Sequence, residues 1–595
     1  MDLQLKKSIT KSFSLQGLSI KADALKHLIS YTNNEQDRDD SGSSQPLNER
    51  ILELVDLILT NLDKSTLKGN FVDKETISNS LKELESQSDS GSIEKEAIKV
   101  ISAFDVPLFH YDQNKKLFVK EEKPEKSLHG NAKSKSELFR RRYQTALQIL
   151  ERHPTFAAPI LPNQKKSLDQ FTLTPINSLL GNPGMKCVLG TISQIVEGKY
   201  YLEDLNSKVQ LDLTNATSEY GLITENGIVL VWGEFEDGLF KAASIRPSNT
   251  EERQKSLDLL QGLDMFGDRP NDRMMHKLKQ YENEVENSII LFSDVWLDNP
   301  TVVSHLESVF EKYVHFPPIA VVLMGNFTEH PLIGGTQYKL KTHFDNLASI
   351  IIKYPELLIK TKFIFVPGPT DPTGSLLNIL PKPAIVDYFT KGFKQRIPNS
   401  IFTTNPCRLR YCTQEIVIFR DDIVNRMRRH IIKEPNPGTD LHQSVINTLS
   451  SNSHLSCLPL DIRPIYWNYD HSLSLYPLPD LLVLGDKYDT FQYQSDSGLF
   501  TFNPSSFPKD YGFCSYDTKS KTVDFFQANR IIEEQENEEE KEKEEKEEEE
   551  EEEILEEEIM EEMDETNDQE ETNEDIEIKD VEEEEEENDD NDDSN

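Results

Sequence analysis

Long apolar runs are absent from this sequence, and cysteines are few. No stretch approaches the ~18–20 apolar residues that a membrane-spanning helix needs. The N-terminus, MDLQLKKSITKSFSL, lacks the continuous apolar core of a secretory signal. The five cysteines form no C-x-x-C pair, and an odd number suits free thiols in a reducing compartment. We therefore expect a soluble intracellular protein in which Cys407 and Cys412 are packing residues.

An excess of basic residues is also missing. The net charge of −42 is concentrated in residues 533–595, which contain 40 acids and 4 lysines. Residues 1–532 have 66 acids and 60 basic residues, a net charge of only −6. A nearly neutral body argues against a large nucleic-acid-binding surface, although it leaves room for a local basic patch.

The acidic C-terminus, residues 531–595, is predicted to be disordered. Its like charges repel one another, and it cannot bury enough apolar surface to fold. The simplest role for such a tail is to keep the protein soluble. The alternative is competition for basic partners such as histones, with EEILEEEIMEEM becoming helical on a basic surface.

Residues 1–100 are predicted to form a small helical docking domain. Apolar residues recur near helical spacing in IKADALKHLISYT, ERILELVDLILTNL and DKETISNSLKELE. Short helices with one apolar stripe each must pack together to bury those stripes. The periodicity fits both an unassigned helical bundle and a docking module tethered to the main body.

Residues 101–165 are predicted to contain a hairpin, a linker and a helix. DVPLFHYDQNKKLFV alternates around a polar turn, and VKEEKPEKSLHGNAKSKS is polar enough to be a linker. ELFRRRYQTALQILERH then has the apolar spacing of a helix. Its arginines, Arg140, Arg141 and Arg142, could contact DNA or an acidic partner, but such a triplet is more often a solvated helix face.

Residues 166–248 change to strand patterns typical of an OB-fold barrel. MKCVLGTISQI, KYYLEDLNSKVQLDL and GIVLVWGEFEDGLFKAASI alternate, and a tight hairpin is expected at Glu203–Ser207. OB barrels often bind single strands through aromatic residues in a basic groove. Here acids such as Glu203 and Asp204 crowd the aromatic residues, which favours a structural or protein-binding barrel.

Residues 249–530 alternate between buried strands and amphipathic helices. SIILFSDVWL, PPIAVVLMGNF and KFIFVPGPTDP contain continuous apolar runs, as strands of an α/β sheet do when both faces are covered. SIFTTNPCRLRYCTQEIVIFRDDI and PDLLVLGDKY indicate a second sheet. Ligands of such sheets bind at the carboxyl ends of the strands.

The strand ends can be compared with those of calcineurin-type phosphoesterases. Those enzymes place Asp-x-His, Gly-Asp, Gly-Asn-His and Gly-His-x-His at successive strand ends, where they hold two metals that activate water. The corresponding positions here hold Asp294, Trp296, Asn326, Pro369, Thr370, Asp486 and Tyr488. Two divalent ions need several anionic or imidazole ligands. We therefore predict no metal, no cofactor and no catalytic residue, and neither a Walker loop nor a Gly-x-Ser-x-Gly elbow occurs.

The combination resembles the B subunits of the eukaryotic replicative DNA polymerases, most closely those of the epsilon type. The stretches that carry the resemblance are FSLQGLSIKADALKHL, VISAFDVPLFHYD, LLGNPGMKCVLGTISQIVEGKYYLEDLNSKVQLDL, FVPGPTDP, NPCRLRYCTQEIVIFRDD, LPDLLVLGDKYDTFQ and FNPSSFPKDYGF. The predicted fold is multidomain α+β. It comprises a small helical N-terminal domain, an OB-type barrel, an inactive phosphoesterase-like α/β domain and a disordered acidic tail.

The resemblance implies a scaffold in the nucleus rather than an enzyme. In that family the OB and phosphoesterase-like domains grip the C-terminal zinc-binding region of the catalytic subunit. The N-terminal module contacts the replicative helicase through the GINS complex, and small histone-fold subunits belong to the same assembly. The chain would then contact DNA mainly through the complex, and it would not contact a membrane.

Three alternatives stay open from the residues alone. The chain could be an active metallophosphoesterase or nuclease, the B subunit of another replicative polymerase, or a stand-alone single-strand binder that uses its barrel. Bound metal would distinguish the first, and salt-dependent binding of an oligonucleotide would distinguish the third.

Overall fold

The computed structural model describes residues 9–14, 17–28, 55, 71–74, 76–78, 90–121, 127–156, 171–332, 336–374, 378–435 and 438–529. The chain divides into two units, Met1–Phe526 and Gln527–Asn595. The acidic tail predicted for residues 531–595 lies outside the described residues. Within the described part of the chain, no helix is long and apolar enough to cross a membrane.

The first hundred residues are only partly described, and they contain strands as well as helices. Residues 9–14 and 22–28 are helical. Strands β1, Ser19–Ile20, and β2, Phe71–Val72, pair in parallel. The two later helices predicted for this region lie mostly outside the described residues.

A strand crosses the domain boundary that the sequence predicts at residue 100. Helix α1, Ser90–Ala97, leads directly into β3, Ile98–Ser102, and β3 pairs antiparallel with Cys407–Tyr411. Ile98 and Ile101 are buried in two separate apolar cores. The β-branched residues of β3 favour a strand. This strand covers the edge of Cys407–Tyr411 that would otherwise be unpaired.

A hairpin and a long helix follow, as the sequence predicts. β4, Phe109–Asp112, pairs antiparallel with β5, Leu117–Lys120. Helix α2, Ala132–Arg152, begins earlier than its apolar pattern indicates, because the Asn131 side chain accepts a hydrogen bond from the Ser134 N–H and caps the helix. Part of the polar segment expected as a linker therefore belongs to α2.

Residues 186–247 form a closed barrel from which one short strand, β10, branches. The strands are β6 Lys186–Val196, β7 Lys199–Glu203, β8 Lys208–Asp212, β9 Thr217–Ser218, β10 Ile223–Thr224, β11 Ile228–Glu236 and β12 Leu239–Pro247. The order is β11-β6-β7-β8-β12-β9, and β11 also pairs with β12, which closes the sheet. The hairpin predicted at Glu203–Ser207 joins β7 to β8. Apolar side chains such as Val188, Leu202 and Phe240 fill the interior.

Residues 253–527 form two facing sheets, here called the sandwich. Its helices are α3 Arg253–Leu260, α4 Asp272–Glu284, α5 Pro300–Lys312, α6 Tyr338–Ile351, α7 Pro355–Lys360, α8 Asp387–Arg396, α9 Ile423–Arg429, α10 Leu441–Ser451 and α11 Phe507–Asp510. Its strands are β13 Ser288–Ser293, β14 Ala320–Met324, β15 Lys362–Val366, β16 Ser400–Phe402, β17 Cys407–Tyr411, β18 Gln414–Phe419, β19 Ile431–Lys433, β20 Leu481–Leu484, β21 Phe491–Gln494, β22 Phe500–Asn503, β23 Gly512–Asp517 and β24 Thr522–Gln527. Short 3₁₀ helices occur at Ile176–Ser178 and Trp467–Leu473.

The strand order confirms two sheets. The first sheet has the order β16-β15-β14-β13-β23-β24, and β13 to β16 run parallel, as their apolar runs predict. The second has the order β21-β22-β20-β18-β17-β3. One detail differs from the sequence prediction. The SIF stretch, Ser400–Phe402, is a strand of the first sheet, because it pairs in parallel with β15.

Aromatic rings hold the two sheets and the outer helices together. Between the sheets, Phe502 stacks on Tyr516 with ring centroids 6.4 Å apart. On the other face of the first sheet, Phe365 stacks on Phe402 at 4.3 Å, and Phe344 of α6 meets both rings edge-on. Each buried ring of this size stabilises the fold by roughly 1.5–3 kcal/mol relative to exposure.

The cysteines are packing residues, as predicted. All five are free and buried. Burial raises the pKa of both Cys407 and Cys412 to about 12, so that the thiols stay protonated at neutral pH.

Buried hydrogen bonds join the barrel to the sandwich. The Leu222 N–H donates to Thr448 Oγ1 at 2.8 Å, and the Ile228 N–H donates to Asn452 Oδ1 at 2.6 Å. Beside them β10 pairs antiparallel with β19. A buried backbone N–H without a partner is costly. These contacts therefore specify how the barrel is oriented on the sandwich.

Replacing Thr448 by Val should destabilise this junction. Valine has nearly the same shape but leaves the Leu222 N–H without its acceptor. We expect the free energy of unfolding to fall by about 1–3 kcal/mol, as for a buried donor left unsatisfied. Urea titration followed by circular dichroism measures it. Thr342→Val, at an exposed position of α6, is the matched control. Equal losses in the two variants would contradict the role of the junction.

Candidate functional site

The carboxyl ends of the central strands meet at one edge of the sandwich. Asp294 follows β13, Asn326 comes two residues after β14, and Pro369 lies in the loop after β15. From the second sheet, Arg420 directly follows β18, and Asp486 comes two residues after β20. The fold thus gathers most of the predicted positions in one place, here called the strand-end centre.

Asp294 is fully buried, and its carboxylate is engaged by protein donors. Oδ1 accepts hydrogen bonds from Arg420 Nη2 at 2.7 Å and from the Asn326 N–H at 3.0 Å, while Oδ2 accepts one from Ser506 Oγ at 2.9 Å. The Asn326 side chain in turn accepts from the Thr370 N–H at 2.9 Å. The one carboxylate that matches a metal ligand in the first strand-end motif is therefore used inside the protein.

Arg420 fills the middle of the strand-end centre. It is completely buried. Its Nη2 donates to Asp294, its Nε donates to the Gly325 carbonyl at 2.5 Å, and its Nη1 donates to the Gly485 carbonyl at 2.7 Å and to Asp422 at 3.0 Å. A planar guanidinium carries five N–H donors in fixed directions. One side chain can therefore join the ends of β13, β14 and β20.

The carboxylates around Arg420 keep it charged. Burial alone would lower the pKa of Arg420, but Asp294 and Asp422 outweigh it and raise the pKa above its usual value. Burial likewise opposes ionisation of Asp422, but Arg420 lowers the pKa of this acid overall. A permanent positive charge therefore lies in the middle of the strand-end centre.

The loop after β15 is held by a buried acid and a buried amine. Asp371 accepts hydrogen bonds from the Phe327 N–H at 2.8 Å and from the Gly368 N–H at 2.7 Å. Lys382 donates to the carbonyls of Gly368 and Pro369 at 2.7 and 2.8 Å. Burial raises the pKa of Asp371 to about 6 and lowers the pKa of Lys382 to about 8. These contacts support the backbone of the loop that contains Pro369 and Thr370.

Two further predicted positions, Asp486 and Trp296, also lie among protein groups. Asp486 accepts hydrogen bonds from the N–H groups of Val424, at the start of α9, and Tyr488, both at 2.9 Å. Burial raises the pKa of Asp486 to about 6. Trp296 is half-buried, and its indole N–H has no hydrogen-bond partner among the described residues.

Two glycines allow the strand ends to approach this closely. A Cβ atom on Gly325 would lie 1.8 Å from Asp371 Oδ2, and one on Gly485 would lie 2.9 Å from Arg420 Cδ. Any other residue at these positions would push the strand ends apart. The centre is thus packed with protein atoms.

These residues do not fit a pair of catalytic metal ions. In the described ranges, no group of three or more His, Cys, Asp or Glu residues is arranged to hold a metal. Two-metal sites place their cations about 3.5–4 Å apart among anionic ligands. Here the cation beside Asp294 is the guanidinium of Arg420, with Nη2 2.7 Å from the carboxylate.

The arginine triplet of α2 is mostly engaged inside the protein. The side chain of Arg142 is only 8% exposed and donates to both carboxylate oxygens of Asp470. Arg141 donates to Glu121 at 3.0 Å, whereas the side chain of Arg140 is 53% exposed. Contact of the triplet with DNA or a partner stays a prediction, with Arg140 the most accessible of the three.

Two family models match this chain. The model for the B subunits of DNA polymerases alpha and epsilon matches residues 289–493, and the OB-fold domain of DNA polymerase epsilon subunit 2-like proteins matches residues 132–248. The second match includes α2, which the sequence prediction places before the barrel. In the structure, Tyr143 and Leu150 of α2 share an apolar core with Leu189 and Leu230 of the barrel.

Relatives extend the similarity to nearly the whole chain. DNA polymerase epsilon subunit 2 of Bos taurus is 36% identical over 542 residues, which cover 89% of this chain and 98% of the relative. This chain belongs to the DNA polymerase epsilon subunit 2 family. DNA polymerase epsilon subunit 2 of Drosophila melanogaster is 31% identical over 536 residues, covering 88% of this chain and 97% of the relative. Among solved structures, TT1561 of Thermus thermophilus is 11% identical with a TM-score of 0.22, over 41% of this chain and 100% of that chain.

Membership of the epsilon subunit 2 family makes the chain an accessory subunit of a replicative DNA polymerase, as its resemblance implies. The OB-fold prediction is confirmed both by the barrel and by the family model. An accessory role is compatible with a chain that has no catalytic activity of its own.

The sequence prediction missed the residues that fill the strand-end centre. Arg420, Asp371 and Ser506 were not among the predicted positions, although each contacts another strand end. The signal for Arg420 is its place directly after the buried strand QEIVIF, where a charge is unusual unless it has a partner. That partner, Asp294, lies 126 residues earlier, so local patterns cannot identify it.

Replacing Arg420 by Met should strongly destabilise the protein. It leaves Asp294 buried without its ion-pair partner, and we expect the free energy of unfolding to fall by about 3–5 kcal/mol. A second substitution, Asp294→Asn, removes the unpaired charge and should restore part of the loss, so that the two effects are not additive. Urea titrations of the single and double variants measure this coupling.

The exposed pair of Lys353 and Glu307, 2.5 Å apart, provides the control. Lys353→Met should change the free energy of unfolding by only about 0–1 kcal/mol. An Arg420→Met loss that is no larger than the control, or single effects that simply add, would show that the buried pair has no special role.

Proposed function

We propose that this chain is a non-catalytic scaffold of DNA polymerase epsilon, built on a phosphoesterase-like fold whose metal centre is replaced by an arginine. The observation that carries the proposal is the buried guanidinium of Arg420 beside Asp294. A metal ion promotes hydrolysis by lowering the pKa of bound water. A guanidinium stays protonated in proteins and cannot bind and activate a water molecule as a metal ion does.

The candidate acids and bases are also inaccessible. Asp294, Asp371 and Asp486 are 0%, 4% and 0% exposed, and each accepts at least two hydrogen bonds from protein donors. A general base must lie within hydrogen-bond reach of the substrate. These carboxylates instead accept hydrogen bonds from backbone N–H groups and from Arg420, which supports a structural role for them.

The junction between barrel and sandwich further supports a scaffold. A protein that orients partners needs a fixed relation between its binding surfaces. The buried bonds from Leu222 and Ile228 to the sandwich, and the pairing of β10 with β19, supply that relation. The rigid part of the chain would then offer one continuous surface to its partners.

The proposed partners are those that the family resemblance implies. The barrel and sandwich would hold the C-terminal zinc-binding region of the catalytic subunit of DNA polymerase epsilon. The N-terminal region would contact the replicative helicase through GINS. The small histone-fold subunits would join the same complex, DNA would be bound mainly through that complex, and the place of action would be the nucleus.

The purified chain should neither bind metal nor hydrolyse phosphate esters. We expect less than one Mn²⁺, Zn²⁺ or Fe ion per chain by elemental analysis. With bis(p-nitrophenyl) phosphate and added Mn²⁺, the rate should equal that of the buffer. Asp294→Asn is the matched control for a contaminating enzyme. Stoichiometric metal with turnover that this variant loses would establish the alternative, an active phosphoesterase.

An apolar loop on the barrel is the surface that we propose for the catalytic subunit. Leu180 and Met185, which precede β6, are 82% and 60% exposed. Apolar side chains this exposed often mark protein interaction sites. Replacing both by Asp should reduce about tenfold the amount of catalytic subunit that co-purifies, since interface anchors commonly contribute over 1 kcal/mol each.

Phe316→Asp is the matched control for this test. Phe316, four residues after α5, is also 82% exposed but lies on the sandwich. The Phe316→Asp substitution should leave the amount of co-purified catalytic subunit unchanged. Equal retention of the catalytic polypeptide in all variants would reject the loop as the contact. Failure of the unaltered chain to co-purify would reject the scaffold itself.

A further inference from the structure

A second buried cluster of arginines, apart from Arg420, surrounds a small cavity. The cavity lies where α2 and the β4–β5 hairpin meet the sandwich, and its volume is about 60 Å³. The polar lining that matters here comprises Arg141, Arg142, Arg408, His454, Asp470 and His471. We call this space the arginine cavity.

The positive charge in the arginine cavity is only partly neutralised. Arg142 is paired with Asp470, and Arg141 with Glu121. Arg408 is 5% exposed and forms no ion pair within the described part of the chain. Its guanidinium donates only to backbone carbonyls, including that of Ser474 at 3.0 Å. The two carboxylates that act on Arg408, those of Glu415 and Asp264, are already paired with Arg410. A buried charge without an ion-pair partner of its own is costly, and Arg408 therefore favours an anion closer to it.

Groups around the cavity have unused hydrogen-bonding capacity. Arg141 Nε, Arg408 Nε and His471 Nδ1 are buried and have no hydrogen-bond partner among the described residues. All three residues line the same cavity, which brings these groups into one region. Two donors and one ring nitrogen thus remain for a ligand.

The tautomer of His471 decides what the third group can do. Its Nε2 lies 3.2 Å from the Val106 carbonyl, which can only accept, so Nε2 carries the hydrogen. Burial lowers the pKa of His471 to about 4, so the ring is neutral near pH 7. Nδ1 is then an acceptor. A matching ligand needs oxygens that accept from the arginines and an O–H that donates to Nδ1.

We propose that the arginine cavity binds inorganic hydrogen phosphate. This ion is anionic, accepts hydrogen bonds through several oxygens and still carries one O–H group at neutral pH. A cavity of this size has room for about four waters at ~10–15 Å³ each, close to the five heavy atoms of phosphate. Water alone would fill the space but leave Arg408 without an ion-pair partner of its own.

Bound phosphate would connect separate parts of the chain. Arg141 and Arg142 belong to α2, Arg408 lies in β17, and His471 lies in the 3₁₀ helix Trp467–Leu473. The ion would therefore tie the helix beside the barrel to the sandwich. This role is independent of the scaffold proposal, because it concerns the stability of the chain alone.

Isothermal titration calorimetry of the full chain with sodium phosphate at pH 7.4 and constant ionic strength tests the site. We expect saturable binding of one ion per chain. Arg408→Met and Arg141→Gln should each weaken it at least about tenfold, as expected for loss of a charged hydrogen-bond donor. Arg428→Met, at an exposed position of α9, should leave it unchanged. Sulfate, which has no O–H at this pH, should bind more weakly than phosphate.

Each result decides the proposal. No saturable binding, or equal weakening by Arg428→Met, would overturn it and indicate a cavity filled by water. Sulfate binding as tightly as phosphate would overturn the hydrogen bond assigned to His471. Circular dichroism checks that each variant is folded. If Arg408→Met fails to fold, Arg141→Gln decides the result, because Arg141 is partly exposed.

Discussion

The ion pair between Arg420 and Asp294 is the interaction on which the centre of the sandwich depends. Both side chains are completely buried, where an isolated charge costs several kcal/mol. Each residue removes much of that cost for the other. The remaining guanidinium N–H groups reach the carbonyls of Gly325 and Gly485, so a single side chain connects strands of both sheets. The loops after these strands can close tightly because Gly325 leaves room for Asp371 and Gly485 leaves room for Arg420.

This arrangement makes the carboxyl ends of the strands part of the protein core. In α/β sheets, ligands bind outside the carboxyl ends of the strands, where side chains and backbone groups point towards solvent. Here the carboxylates of Asp294, Asp371 and Asp486 accept hydrogen bonds from neighbouring loops instead. The polar groups at this edge are thus satisfied inside the protein. Such a rigid body suits an accessory polymerase subunit, whose proposed contribution is its surface.

Two buried arginines in this chain show how local neutralisation decides what a site can do. Arg420 has Asp294 and Asp422 as partners, and its surroundings are closed. Arg408 donates only to backbone carbonyls, lies over the ring of Phe266 and borders a cavity in which other polar groups lack partners among the described residues. The first site is complete without a ligand. The second has the charge and the space to take one, which is the basis of the proposed phosphate site.

Neighbouring residues were sufficient to predict the barrel and the parallel strands. Burial periodicity and strand-end positions are local properties, and they are therefore visible along the chain. The charged contacts are not local. Arg420 meets Asp294 across 126 positions, Arg142 meets Asp470 across 328, and the loop after β3 is bonded to Thr404 across 301. Only the folded chain shows which charges are paired and which have no ion-pair partner. The energy of a charge depends on its neighbours in space, and the order of residues does not reveal these.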